Sequence, residues 1–186
     1  MTSPQQRIVL SIADLRQIAP VSAKAAETFL PYILQYQGNV NTPLRFAAFL
    51  SNILHESGCF RYVREIASGE AYEGRKDLGN VHKGDGKLFK GRGLIQITGR
   101  SNYMEISKDW YGNDSIVRNP EILASPENAV RSAYWFWNKR NLNVIADKPD
   151  FKTVCKRING GLNGYAERLK YYEAALGVLD LHNIVS

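Results

Sequence analysis

The stretch Thr42-Pro43-Leu44-Arg45-Phe46-Ala47-Ala48-Phe49-Leu50-Ser51-Asn52-Ile53-Leu54-His55-Glu56-Ser57-Gly58 decides the fold class. Thr42 can accept a free amide as N-cap, and Pro43 has no amide to lose at the first helical position. Phe46, Ala47, Leu50, Ile53 and Leu54 then recur at the spacing of one buried helix face, and Gly58 supplies the stop. The apolar part, Phe46 to Leu54, is half a membrane span and is broken by Ser51 and Asn52. It reads as a core helix, not a transmembrane one.

The same grammar recurs outward from this helix. Ser22 is a cap for a helix through Ala25, Ala26, Phe29 and Leu30, and the segment from Gln37 to Asn41 is a polar break. Leu94, Ile95 and Ile97 make a strand or a buried turn, followed by a short helix from Asn102 to Lys108. Ser125-Pro126-Glu127 repeats the cap-then-proline signal and opens a helix through Val130, Ala133, Tyr134 and Trp137. Phe151 to Ile158 is stopped by Asn159-Gly160-Gly161, and Gly164 to Leu179 is the last helix. The expected class is mainly α. With 186 residues, no repeat and no linker-like boundary, residues 1–186 read as a single domain.

Composition narrows the partners. The chain carries 24 Lys+Arg against 18 Asp+Glu, a net charge of +6, which favours polyanions such as an anionic cell-wall polymer without choosing among them. A clustered Lys/Arg stripe with interleaved aromatics is missing, which speaks against nucleic acid. Arg7 is followed by only Ile8, Val9 and Leu10 before Ser11 and Asp14, so a secretion leader is not expected and synthesis in the cytoplasm is. Two cysteines, Cys59 and Cys155, make no disulfide framework; reduced, packed thiols are expected. A monomer without integral membrane association is the expectation.

Three segments could carry chemistry. Glu56 falls on the last turn of the quoted helix, where partial burial and the negative end of the helix dipole would raise a carboxyl pKa, as a general acid requires. Glu65, nine residues on, is flanked by Arg64 and by Arg61, which would keep it ionised. Two carboxylates pushed apart in this way suit glycoside hydrolysis, although most glutamates are plain surface charges. The second segment lies in a poorly periodic stretch where eight of the fifteen glycines, Gly69 to Gly99, are concentrated. There Lys90-Gly91-Arg92-Gly93-Leu94-Ile95-Gln96-Ile97-Thr98 offers close backbone approach and neutral hydrogen-bonding groups, continued by Asn102 and Tyr103. The third is Asn159-Gly160-Gly161, by itself a helix stop. His55 and His82 lack a partner at ligand spacing, so neither a metal nor a cofactor is expected. Of the four aromatics Tyr134 to Trp137, most must be core, with room for one sugar-stacking platform.

Taken in order, His55-Glu56-Ser57-Gly58, Glu65, the Gly91-Arg92-Gly93 to Thr98 block with Asn102-Tyr103, and Asn159-Gly160-Gly161 resemble glycoside hydrolase family 19. The similarity is greatest to its short bacteriophage endolysin and prophage lysozyme-like branch, and runs from about Thr42 to the end of the last helix. The resemblance implies a lysozyme-like, two-lobed helical fold with a substrate cleft and an inverting mechanism. It makes Glu56 the general acid, Glu65 the general base and Thr98 the residue that positions the water. His55, Tyr72, Gln96, Asn102, Tyr103 and Asn159 become substrate contacts. Inversion needs the carboxyl groups ~6.5–9.5 Å apart, which a helix end followed by a loop permits. Glu70 and Glu73 stay open as alternative bases. The implied activity is an endolysin cutting β-1,4 bonds of peptidoglycan glycan strands, acting at the cell wall or periplasm after release. A chitinase acting on GlcNAc polymers is the first alternative, and a non-catalytic basic module binding glycan or nucleic acid the second.

Overall fold

The computed structural model of the protein describes residues 7–182 and 184–185. Residues 1–6, 183 and 186 lie outside the described residues. A two-residue strand β1 (Arg7–Ile8) pairs antiparallel with β2 (Ile184–Val185), so the two ends of the described chain meet. Ten helices lie between them: α1 (Ile12–Ile18), α2 (Ala23–Gln35), α3 (Pro43–Glu56), α4 (Asp85–Leu88), α5 (Arg100–Tyr111), α6 (Ser115–Arg118), α7 (Pro126–Lys139), α8 (Leu142–Ala146), α9 (Phe151–Asn159) and α10 (Tyr165–His182). Among the described residues no helix is long and apolar enough to cross a membrane.

Helix α3 is the axis of the molecule. Thr42 Oγ1 accepts the Arg45 amide at 3.3 Å, as its position before Pro43 requires. The spacing predicts one buried face, but every residue from Phe46 to Leu54 is buried, because α10, α8 and α9 cover the sides that a surface helix would leave wet. Ser51 and Asn52 therefore turn their polar groups back onto the Ala48 carbonyl, at 3.1 and 2.7 Å. Phe49 stacks on Tyr134 with ring centroids 4.0 Å apart and meets Trp137 edge-on at 5.6 Å, which locks α7 onto α3. Each of these fully buried apolar side chains contributes about 1.5–3 kcal/mol. Cys59 and Cys155 are buried free thiols.

One open choice of the sequence pattern is decided and two of its boundaries differ, for physical reasons. Leu94 to Ile97 forms a buried turn, closed by reciprocal backbone bonds between Arg92 and Ile97 at 3.1 and 2.8 Å. The helix expected over Asn102 to Lys108 runs from Arg100 to Tyr111 and ends on left-handed Gly112. Ser125 does open α7, but its hydroxyl donates backward to the Ile122 carbonyl at 3.1 Å, leaving Pro126 to set the start. The glycine-rich segment before α5 is ordered by a buried carboxylate. Asp85 accepts from Arg100 Nη2 at 2.6 Å and Nε at 2.9 Å, while Asn80 bridges the Arg100 amide and the Tyr72 carbonyl at 2.8 and 2.9 Å.

Candidate active site

The chain reverses immediately after Glu56. Gly58, Cys59 and Phe60 are all left-handed, with φ of 58°, 59° and 67°. Two of them are not glycine, and such a conformation costs roughly 1–3 kcal/mol per residue, so the surroundings must hold it. Buried Ser57 does much of this: its hydroxyl donates to the Ile53 carbonyl at 2.6 Å and accepts the Phe60 amide at 2.9 Å. The Cys59 amide closes onto the Leu54 carbonyl at 2.7 Å, and the apolar side chains of Cys59 and Phe60 are buried. Glu56 is thereby held at the helix end, half-buried, rather than continuing along a surface helix.

A residue 112 positions away completes this half of the site. Arg168, on α10, is 2% exposed and ion-pairs with Glu56 through Nη2. Its Nη1 donates to Asn52 Oδ1 at 2.7 Å and its Nε to the Asn163 carbonyl at 3.3 Å. Asn159 Nδ2 donates to that same carbonyl at 3.2 Å, so the loop after α9 is tied to the Glu56 carboxylate through one guanidinium. The helix stop itself is Gly160, left-handed at φ 71°. Burial beside this network pushes the Cys155 thiol up to about 11, against the Arg168 charge, leaving it a packed thiol. His55 turns to the other side. Its Nδ1 lies 2.5 Å from Glu167 Oε2, and its ring packs so closely on Gly164 that a Cβ there would stand 2.0 Å from Cε1.

Glu65 belongs to a second group. Its backbone amide donates to the Gly91 carbonyl at 2.9 Å, and its carboxylate accepts the Gly91 amide at 3.0 Å and the Tyr72 hydroxyl at 2.9 Å. Burial and, next, the bond to Glu65 raise the Tyr72 phenol above its ordinary value. Gly91 brings its backbone close to two side chains: a Cβ there would stand 2.6 Å from Gln96 Oε1 and 3.2 Å from Glu65 Oε2, so both would have to shift to admit one. Gln96 is left-handed at φ 57°, which aims its side chain back at this strand while Nε2 donates to the Gly93 carbonyl at 3.0 Å. Thr98 Oγ1 donates to the Gln96 carbonyl at 2.9 Å, and Asn102 Nδ2 to the Thr98 carbonyl at 2.7 Å. The block that stood out for its glycines is thus a run of short hydrogen-bonded turns beside Glu65. Tyr62, in the segment that joins Glu56 to Glu65, is 46% exposed, and its ring fills the space above Gly58, where a Cβ would lie 2.9 Å from Cδ2.

Several expected roles change. Arg64 does not accompany Glu65. It points to the opposite side of the extended segment, and its Nε donates to Glu121 at 2.6 Å. Arg92 shares that carboxylate, with Nη2 2.7 Å away, and the Arg64 bond is the main cause holding Glu121 below the usual carboxylate range. Glu65 is dressed by neutral donors instead. Tyr103, placed among the substrate contacts, is fully buried; its hydroxyl donates to the Lys90 carbonyl at 2.6 Å and burial pushes it up to about 12. It supports the loop from below and has no surface to offer a ligand. Glu70 pairs with Lys87 at 2.8 Å, and both Glu73 oxygens are taken by the Gly84 and Gly86 amides at 2.7 and 2.8 Å. Arg168 and Tyr62 carried no signal in the sequence, since neither belongs to a motif; only a fold brings Arg168 to Glu56.

No family model matches the chain. A glycosyl hydrolase family 19 domain-containing protein of Haemophilus influenzae is 30% identical over 200 residues, covering 91% of this chain and 96% of that protein. An endochitinase of Arabidopsis thaliana is 36% identical over 138 residues; the match takes in 74% of this chain but only 45% of the plant protein. Chitinase C from Streptomyces griseus has a TM-score of 0.69 at 22% identity, covering 96% of each chain. A second bacterial family 19 chitinase has a TM-score of 0.70 at 23% identity, covering 92% of this chain and 95% of that one. The structural likenesses show the mainly helical, lysozyme-like fold of these enzymes, and the Haemophilus relative, similar over nearly its whole length, adds the lineage. The chain belongs to glycosyl hydrolase family 19 and is a chitinase-like glycoside hydrolase.

Proposed function

We propose that the protein hydrolyses β-1,4 bonds between N-acetylated amino sugars by single displacement, with Glu56 as acid and Glu65 as base. The observation that carries this is the placement of the two carboxylates: Glu65 is bonded to Gly91 and Tyr72 beside the turns that carry Gln96 and Thr98, while Glu56 ends α3 paired with Arg168, so the arginine accompanies the acid and not, as the sequence suggested, the base. With its proton spent on the Gln96 carbonyl, the Thr98 oxygen is left as an acceptor. It can hold a water by one O–H while Glu65 takes the proton of the other. The water oxygen bonds to the anomeric carbon, the glycosidic C–O bond breaks, and the leaving oxygen takes the proton of Glu56. Glu65 is preferred to Glu70 and Glu73 as base because its carboxylate and its backbone amide are both bonded to Gly91, at the start of the turns that carry Gln96 and Thr98.

Chitin-type polymers are the preferred substrate, in keeping with the endochitinase relatives. Peptidoglycan, as cut by an endolysin released to the cell wall, is the second reading, favoured by the net charge of +6. Mass spectrometry of products from chitohexaose and from purified sacculi, in isotopically labelled water, decides between them. Glu56→Gln and Glu65→Gln should each remove product from the true substrate while the variant stays folded at the assay temperature, as its circular dichroism reports. Full activity of Glu56→Gln would sink the assignment.

A further inference from the structure

Away from the two carboxylates, a groove of about 480 Å³ runs between α5 and α7 and is closed at one end by Tyr36 after α2; Trp110, Trp135, Arg131, Asp109 and Asn138 line it. It begins at the far end of α5. Asn102 and Trp110 are eight residues apart on that helix, or about 12 Å along its axis. The aromatic walls are held in place. Trp135 Nε1 donates to Asp109 Oδ2 at 2.8 Å, Lys139 Nζ reaches the same oxygen at 2.9 Å, and the Tyr36 hydroxyl bonds Glu127. Arg131 is different. Its guanidinium carbon lies over the Trp110 ring, 4.0 Å from the centroid, and the side chain makes no hydrogen bond or ion pair among the described residues. Stacking satisfies the face of a guanidinium and leaves its in-plane N–H groups free to donate sideways into the groove.

We infer that this groove is an accessory binding site for an N-acetylated amino-sugar chain. Arg131 covers one face of Trp110 and the Lys139 ammonium lies 5.8 Å from the Trp135 ring centroid, so the ligand must offer an apolar surface to what remains of the aromatic walls and a neutral acceptor to Arg131; a pyranose ring with an acetamide carbonyl offers both. Asp109 balances Lys139 within the groove, and Arg131 is left as a cation without an ion pair among the described residues, which a carbonyl oxygen can meet as a hydrogen-bond acceptor. The volume falls in the range of sites for small ligands. The inference rests on the reading that the substrate is an amino-sugar polymer, whose length lets one chain or its neighbour engage a second site while the carboxylates act.

The test uses Glu56→Gln protein with nitrogen-15-labelled indoles, titrated with chitohexaose in one arm and with soluble muropeptides in the other. The Trp110 and Trp135 indole N–H resonances should shift saturably, and the arm in which they do so names the polymer. Adding Arg131→Ala should weaken that titration about tenfold, the loss of one charge-assisted hydrogen bond. In the otherwise wild-type enzyme Arg131→Ala should leave cleavage of soluble chitotetraose within about twofold while slowing insoluble polymer several-fold; Asn138→Ala, at an exposed position, serves as the second variant. Indole resonances that stay still in both arms, or a titration unaffected by Arg131→Ala, would overturn the inference. Absence of cleavage by wild type would instead count against the functional reading, so the two failures are told apart.

Discussion

Replacing Arg168 by Met tests whether one buried cation holds the acid side of the site. The substitution keeps an unbranched apolar stem of similar reach in a position only 2% exposed, so packing is largely conserved. What it removes is the partner of the Glu56 carboxylate and the donors to Asn52 Oδ1 and the Asn163 carbonyl. Breaking a buried ion pair from one side costs about 3–5 kcal/mol. For a chain of this size, 186 residues, that is a fall in Tm of about 6–20 °C. In a Glu56→Gln background the charge is already gone. Arg168→Met then orphans only neutral acceptors and removes a buried charge that has lost its partner, so it costs at most about 1–3 kcal/mol, which leaves a coupling of at least about 2 kcal/mol between the two positions. Thermal or urea unfolding of the four proteins measures each corner of this cycle. The reasoning fails if Arg168→Met costs less than about 1 kcal/mol, or costs the same in both backgrounds.

Other outcomes follow from the same geometry. Gly91→Ala forces a methyl against Gln96 and Glu65, and should cut turnover more than tenfold with a smaller loss of stability, read by initial rates beside a melting curve. Ser57→Ala strips the Phe60 amide of its acceptor in a buried turn and should cost about 1–3 kcal/mol in a denaturant titration. The Arg100 bond holds Asp85 below the usual carboxylate range, against burial, so its contribution to stability is fully present above the unfolded carboxyl pKa of about 4 and is lost as pH falls through the lower folded value. Asp85→Asn should therefore flatten the acid limb of the stability profile; an unchanged limb would show that other carboxylates set it.

Local physics made much of this architecture legible in advance. Thr42-Pro43 and Ser22 announce α3 and α2 because a cap is a contact between residues three apart. Helix α1 escaped notice although Ser11 and Asp14 form a reciprocal cap, since seven residues show too few turns for a pattern. Glu56 and Glu65 could be picked out by motif, but their surroundings could not. The flanking Arg64 and Arg61 suggested an ion pair for Glu65, yet in extended backbone neighbours face opposite ways, and Arg64 found Glu121. Tyr103 sits inside the motif block and so read as a contact, while helical periodicity turns it to the core. Arg168 shows the limit most clearly: its partner is 112 residues distant, and only the packing of α10 on α3 creates the pair.

The central claim is a single displacement by Glu56 and Glu65, and the anomeric configuration of the first product tests it most directly. Proton NMR of wild-type enzyme on chitohexaose, recorded before mutarotation, should show α-configured reducing ends appearing first and none forming with Glu56→Gln. β-configured ends appearing first, or α ends at the wild-type rate from Glu56→Gln, would contradict it.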